Sequence, residues 1–543
     1  MFSLKDGYIR NRTEWKSAGI RLPEYDADSV RKHTMREPRW VHFGSGNIFR
    51  SFLAPLQQEL LQKGSAQTGI VAVESFDPEI IEKIYLPYGS LSLLVLMPPD
   101  GNLLKSVTAS VAETVAADGE EGWKRLKEIA AFPSLQMLSF TVTEKGYSLR
   151  GADGALLPDV ERDMRNGPAF PENLMAKTAA LLYERYRAGK LPLAAVSMDN
   201  CSRNGERLRL SVLEIAKEWE KNGLAESGFT DYLLDSRKIS FPWTMIDKIT
   251  PRPSSVIASS LRKIGFADTE IVRTNRNTYI APFVNAEVPQ YLVVEDDFPN
   301  GRPPLEQSGV LFADRETVGR AERMKVCACL NPLHTALAVF GCLLGYRSIS
   351  DEMRNRALKN LVLTIGRDEG LSAVEDPKIL DPHEFLREVV EQRLPNPYIP
   401  DTPQRIACDT SQKIPVRFGG TIRAYCERPD LDVRSLRGIP FAVAGWLRYL
   451  LGTDDDGNTM DLSPDPMLPL LRKKLSGIIP GRPETSFAIL KPILSDASLF
   501  GENLCTAGLA EKVESYFVEM LAGPHAVAKA LEKHFGGEEK FEK

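Results

Sequence analysis

The chain has 543 residues, of which 43% are hydrophobic and 26% charged, and a formal net charge of -5. That length can bury large cores in two or three domains, and the composition is that of an ordinary soluble globular protein. The mildly acidic balance gives no electrostatic footprint for nucleic acid or an anionic membrane surface, so neither is an expected partner.

Seven scattered cysteines, and a start without the basic-then-apolar pattern of a signal peptide, lead us to expect reduced thiols and a cytoplasmic location. Residues 1 to 37 are polar and read as an N-terminal extension laid across the surface. The next stretch, RWVHFGSGNIFRSFLAPLQQELLQKG, predicts a buried strand over Trp40 to Phe43, a tight turn at Gly44-Ser45-Gly46, and an amphipathic helix from Asn47 to Leu61. Two glycines let a backbone turn sharply and approach a pyrophosphate, whose charge meets the free amides at Asn47 and Ile48. Phe49 stands where the usual fingerprint has its third glycine, so alone the motif also fits an ordinary strand-to-helix turn. A second buried strand, Ile70 to Val73, ends in Glu74, twenty-eight residues after Gly46. A carboxylate there suits a ribose hydroxyl and repels a 2'-phosphate, which favours NAD over NADP.

The runs SLSLLVLMPPDG and SVTASVAETV predict further strands, and Trp123 to Ala131 a helix. Leu135 to Thr143 is an alternating strand with Glu144, Lys145 and Gly146 at its end, and Met175 to Gly189 is a helix. LAAVSMDNCSRNGERLRL predicts a strand, a polar loop holding Asp199, Asn200, Asn204 and Gly205, and then a long helix. FPWTMIDKITPRPSS places Asp247 and Lys248 in an apolar segment bounded by prolines. After about residue 313 helical patterns dominate, except for a loop, NPYIPDTPQRIACDTSQKIPVRFGG, that brings together Arg405, Lys413 and Arg417. The expected fold is α/β, with a Rossmann-type dinucleotide-binding domain over residues 1-312 followed by a mainly α-helical domain over 313-543.

Met324 to Tyr346, MKVCACLNPLHTALAVFGCLLGY, places a lysine, an asparagine and a histidine in an apolar run. Its length would span a bilayer, but the polar residues inside it favour burial in protein. Asn331-Pro332 reads as a helix N-cap with proline at the first helical position. A break there lets Lys325, Asn331 and His334 converge, whereas on one continuous helix Lys325 and His334 would diverge. The alternative is a buried helix pair with a capping Asn, a satisfied core His and a snorkelling Lys. Cys327 and Cys329 lie one residue apart, not a usual zinc spacing, and no metal is expected.

Six blocks in order resemble the long-chain polyol dehydrogenase family, the mannitol dehydrogenase and uronate reductase group: FGSGNIFR, TEKGY, DN with NG, FPWTMIDKITP, the lysine to NPLHTALAVFGCLLGY, and DTSQKIP. The resemblance implies zinc-independent, NAD(P)-dependent interconversion of a secondary alcohol and a ketone on an open-chain sugar derivative. It also implies roles. The lysine matching Lys325 is the acid/base, the asparagines matching Asn200 and Asn331 donate to the reacting oxygen, and the histidine matching His334 orients substrate. Asp247 and Arg405 occupy positions that line the sugar site. Glu322 resembles a family carboxylate near the base.

Cys408 replaces a histidine of mannitol dehydrogenases, and Arg405, Lys413 and Arg417 suit a carboxylate. The favoured substrate is therefore a hexuronate, fructuronate reduced to mannonate or its tagaturonate epimer. A mannitol-type polyol dehydrogenase is the alternative within the class, and a non-catalytic dinucleotide sensor the alternative outside it. The partner is a small molecule, and the state is open between monomer and small homo-oligomer. One departure from the family stands out: four residues separate lysine and asparagine there, while here there are five, Val326 to Leu330. On a regular helix the extra residue turns Lys325 by about 100°, so a bulge or shifted break has to absorb it.

Overall fold

Four short runs buried on both faces, an edge strand that is half-exposed, and a two-residue strand form the parallel sheet that organises the first part of the chain. In the computed structural model, which describes residues 1-7, 12-151 and 153-537, these are β1 (Trp40–Phe43), β2 (Ile70–Glu74), β3 (Val111–Ala116), β4 (Met137–Phe140), β5 (Leu193–Ser197) and β6 (Ile239–Ser240). Their spatial order is β3-β2-β1-β4-β5-β6, every neighbouring pair parallel. The strand order reverses between β1 and β4, which makes the carboxyl ends of those strands the place where a sheet of this kind opens a ligand crevice.

Strand periodicity divides the burial between two cores. Val41 and Phe43 of β1 and Val71 and Val73 of β2 face one core, with Trp123 of α2 (Glu120–Ala130), Met175 of α3 (Leu174–Arg187) and Leu208 of α4 (Asn204–Lys221). Trp40, Ile70 and Ala72 face the other, with Leu56 and Leu60 of α1 (Ala54–Gln62). The helix predicted from Asn47 therefore forms, but its first part, Phe49–Leu53, is wound as a π turn.

The N-terminal residues are not a surface extension. Phe2 and Trp15 are 3% and 0% exposed and cluster with Phe266, their ring centroids 4.5 to 5.9 Å apart. Ile20–Arg21 pairs in parallel with Leu104–Thr108, at the edge of a four-stranded sheet that also holds Ser92–Leu96 and Phe283–Ala286. Polar average composition hid two large aromatics that bury completely.

The chain divides into two compact units, Met1–Gly319 and Arg320–Lys543. The second is helical. The stretch 396-420, expected as a loop, instead carries the helices Pro403–Ile406 and Thr410–Arg417 and the start of Gly419–Glu427. The Thr402 side chain caps the first by accepting the Arg405 N–H at 3.2 Å, and Pro415 sits inside the second. One helical run, Arg315–Leu343, is long and apolar enough to cross a membrane by length and composition, and 78% of its most apolar stretch is buried inside the protein.

Candidate active site

The turn after β1 is shaped by what its glycines allow. Gly44 has φ +98°, and a Cβ there would lie 2.2 Å from the Thr141 carbonyl oxygen, so only glycine fits. Gly46 has ordinary φ, and a Cβ there would meet nothing within 4 Å. Its openness matters to the outside of the turn, not the inside.

Glu74 braces this turn. One carboxylate oxygen accepts the Ser45 N–H at 3.1 Å and the Ser45 hydroxyl at 3.0 Å. The other accepts the N–H groups of Ser75, Phe76 and Asp77 at 3.1 to 3.3 Å. Burial raises its pKa, and the hydrogen bonds oppose the rise. Tyr85 donates its hydroxyl to the Ser45 carbonyl at 2.8 Å, and Asn47 donates its amide to Tyr279 at 2.9 Å. Arg50, one helical turn past Gly46, is 1% exposed, and none of its guanidinium nitrogens has a hydrogen-bond partner among the described residues. Burial pushes its pKa down. An arginine at an early helical position ordinarily reaches solvent, so no local signal in the sequence marks this one as buried.

At the ends of β4 and β5 the chain is stitched by Asp199. Its carboxylate accepts the Val142 N–H (2.7 Å), the Thr143 N–H (3.0 Å) and the Tyr147 hydroxyl (2.6 Å), and burial raises its pKa. Asn200, the predicted amide donor, follows it and is exposed. Asn204 and Gly205 do not belong to the loop; they open α4. The Asn204 side chain donates to the Asp199 carbonyl (3.0 Å) and the Thr244 hydroxyl (2.8 Å) and accepts the Thr244 N–H (3.0 Å). At Gly205 a Cβ would lie 2.6 Å from the carbonyl oxygens of Phe241 and Pro242. The NG pair and the FPW segment are thus one packing unit, a link that separation in sequence concealed. Asp247 ends β7 (Thr244–Asp247) and is 6% exposed, and Lys248 donates to the Glu287 carbonyl at 2.8 Å.

In the second unit the lysine segment explains its own spacing. Helix α5 (Arg315–Met324) continues into a π turn, Lys325–Cys329, in which the Leu330 N–H donates to the Lys325 carbonyl at 3.2 Å. A π turn holds one residue more than an α turn, so the fifth intervening residue is taken up without unwinding either helix. Lys325 is 2% exposed. The next helix, α6 (Asn331–Leu343), has Leu330 rather than Asn331 at its cap, with φ -135° and no side-chain cap. The expected capping role of Asn331 is therefore corrected: the π turn moves the break back one residue, and the Asn331 amide makes no side-chain hydrogen bond among the described residues.

His334, 14% exposed, places Nε2 3.5 Å from the buried Asp401 carboxylate. Burial pushes its pKa down to about 4; Asp401 opposes this, and Arg417, Arg405 and Arg393 add to it. The imidazole is neutral at pH 7. Arg405 is itself paired with Asp401. Arg417 donates to the Asn331 carbonyl (3.3 Å) and the Thr335 hydroxyl (2.8 Å), fixing the first turn of α6. Lys413 donates to the carbonyls of Ile406 and Cys408 at 2.9 and 2.5 Å, and burial pushes its pKa down to about 8. Among the described residues no group of three or more His, Cys, Asp or Glu side chains is placed to hold a metal ion.

Two family descriptions match this chain: "Mannitol dehydrogenase Rossmann domain" over residues 38-307 and "Mannitol dehydrogenase C-terminal domain" over 318-514. The chain belongs to the mannitol dehydrogenase family. Within that family of oxidoreductases it is 54% identical to the D-mannonate oxidoreductase of Thermotoga maritima, over 98% of each chain. It is 29% identical to the D-mannonate oxidoreductase of Escherichia coli, covering 81% of this chain and 85% of that one. Its fold matches Pseudomonas fluorescens mannitol 2-dehydrogenase, solved as a ternary complex with NAD and D-mannitol, with a TM-score of 0.72 at 23% identity over 96% and 97% of the two chains. The Rossmann-type expectation for the first part of the chain and the helical expectation for the second both hold.

Proposed function

We propose that this mannitol dehydrogenase family member is an NAD-dependent oxidoreductase that interconverts a keto-hexuronate and an aldonate, of the fructuronate/mannonate type. The observation that carries the reading is the 54% identity, end to end, with a D-mannonate oxidoreductase. The residues present fit a dinucleotide. Gly46 leaves open space where a backbone must come close to a pyrophosphate, and Asn47 and Ile48 open the helix that follows, where N–H groups have no intrahelical partner. A dinucleotide held there would supply hydride to the substrate carbonyl carbon as NADH, or take it up as NAD+ in the reverse direction.

The chain's own contribution is charge and proton handling. As negative charge develops on the reacting oxygen, the side-chain amide of Asn331, uncommitted to capping, donates to it and stabilises the transition state more than the ground state. Asn200 is proposed as a second amide donor from the sequence pattern. Lys325 gives the proton to the forming alcohol, and in oxidation acts as the neutral base. His334, neutral and oriented by Asp401, keeps Nδ1 for a substrate hydroxyl. Asp247 is a hydroxyl partner. Arg405, Lys413 and the neighbouring Arg417 form a cationic environment suited to a substrate carboxylate, which supports a sugar acid over a neutral polyol.

A panel of fructuronate, tagaturonate, fructose and the matching alcohols, followed by reduced-nicotinamide absorbance, tests the reading. Fructuronate or tagaturonate is expected to be the best ketone; fructose ahead of every uronate overturns the uronate choice. Lys325→Ala is expected to lower turnover by ~10²–10⁴ while NADH affinity holds. Retained turnover removes Lys325 from its role, and NADH binding by the wild type without turnover on any substrate points to a sensor.

A further inference from the structure

Thr143 has a backbone conformation that a threonine rarely adopts. It follows the carboxyl end of β4 and has φ +67° and ψ 162°, a region that glycine occupies freely and a β-branched residue only under strain. Such a residue stays put only where its surroundings hold it. Here the holder is Asp199, just past the end of the neighbouring strand β5. One of its carboxylate oxygens accepts the Thr143 N–H, and the other accepts the Val142 N–H and the Tyr147 hydroxyl. The Tyr147 oxygen in turn accepts the Ser197 hydroxyl at 2.7 Å, so the one proton of buried Tyr147 is committed to Asp199.

The main chain of Asp199 is gripped as well. Its carbonyl accepts the Cys201 N–H at 2.9 Å and the Asn204 side-chain amide at 3.0 Å. The first of these bonds closes a three-residue turn with Asn200 at its centre. Arg207 of α4 ties the same two loops from outside. Its Nε donates to the Ser202 carbonyl at 3.0 Å, and its guanidinium pairs with Glu144 at 2.9 Å. The loop that carries Asn200 and the loop that begins at Thr143 are therefore one unit, joined by a carboxylate within and a guanidinium at the surface.

Resting on the reading above of Asn200 as an amide donor to the reacting oxygen, we infer that Asp199 and Tyr147 are positioning residues for that amide, with strained Thr143 as the anchor they hold it against. A donor stabilises developing charge only if it is in place before the charge appears. An exposed side chain on a short turn has no rigidity of its own, so its backbone has to supply it. The Asp199 hydrogen bonds offset the strain at Thr143. Without the carboxylate, residue 143 relaxes toward an ordinary extended conformation, and the turn that carries Asn200 loses its footing.

The test is a double-mutant cycle in steady-state kinetics on the full-length protein, with the best ketone and NADH, rates being taken per folded molecule from thermal melts. Tyr147→Phe keeps the buried ring and removes the proton. It is expected to lower kcat ~10- to 100-fold and to leave KM and NADH affinity unchanged. In the Asn200→Ala background the same change is expected to cost less than ~2-fold more, because the group it positions is gone. Asp199→Asn sets an amide where a carboxylate took the Thr143 N–H and is expected to act as Tyr147→Phe does. Adding Thr143→Gly, comfortable at this φ and ψ, is expected to recover part of that loss. A full Tyr147→Phe effect in the Asn200→Ala background, wild-type kcat in Tyr147→Phe, or an equal loss of NADH affinity overturns the positioning role. No recovery with Thr143→Gly overturns the anchor. Wild-type turnover by Asn200→Ala, or none by the wild type on any ketone, overturns the reading beneath it instead.

Discussion

Glu74 accepts both the backbone N–H and the side-chain hydroxyl of Ser45, so the acid at the end of the second strand holds the glycine turn at the end of the first. A carboxylate that gathers five donors is an internal anion, and removing it orphans buried amides at about 1–3 kcal/mol each. Glu74→Ala is expected to lower the melting temperature by several degrees and to weaken NADH binding at least ~10-fold. Unchanged melting would show that water replaces the carboxylate at no net loss.

Gly44 and Gly46 separate shape from recognition. Gly44→Ala forces a Cβ into the Thr141 carbonyl at a positive φ and is expected to destabilise the protein before any ligand is added. Gly46→Ala meets no atom and is expected to melt at or slightly above the wild-type temperature, yet to lose NADH affinity at least ~10-fold. Thermal melting and titration on the two variants check this. Equal NADH affinity for Gly46→Ala and wild type would mean that the backbone there approaches nothing.

His334 makes stability depend on pH in a defined window. Its pKa falls from 6.5 to about 4 on folding, so the unfolded chain takes up the proton first. The stabilisation is fully present above pH 6.5, declines as pH falls toward 4, and then levels off. The full span is ~3 kcal/mol at most. In melting curves from pH 7.5 to pH 4, His334→Gln is expected to lose part of the acid-side slope shown by wild type. Identical slopes would place the proton uptake elsewhere.

Glu352 has the opposite sign. It is 0% exposed, neither carboxylate oxygen has a hydrogen-bond partner among the described residues, and burial raises its pKa well above 4.5. Its ionisation is disfavoured in the fold, so the group weakens stability as pH rises above the unfolded value. Glu352→Met, which keeps the length and removes the polar atoms, is expected to raise the melting temperature by a few degrees at pH 8 and by less at pH 5. A lower melting temperature at both would reveal a proton-sharing partner.

The strand, turn and helix around Gly44 were legible in the sequence because every signal is local: an apolar run, two glycines, an amphipathic repeat. The lysine-to-histidine segment stood out for the same reason, as polar residues in an apolar stretch. What escaped depends on distant partners. Trp15 is buried by Phe2 and Phe266, and Phe266 comes some two hundred and fifty residues later. Asn204 reads as a turn residue until Thr244 is placed against it. The helices at Pro403–Ile406 and Thr410–Arg417 are four and eight residues long and hold two prolines, so propensity argues against them and packing decides. Asn331-Pro332 matched a cap pattern, but the pattern could not show that the preceding turn is a residue wider.

That wider turn also sets which neighbours the residues after Lys325 meet. An insertion in a loop changes length, while one absorbed as Lys325–Cys329 changes only which neighbours the side chains between two fixed points meet. The carbonyl of Cys327 takes the Thr421 hydroxyl at 2.9 Å, and its sulfur faces the Val416 carbonyl at 3.4 Å. The π turn therefore carries the chain from Lys325 to the start of α6 while turning Cys327 toward Thr421 and Val416.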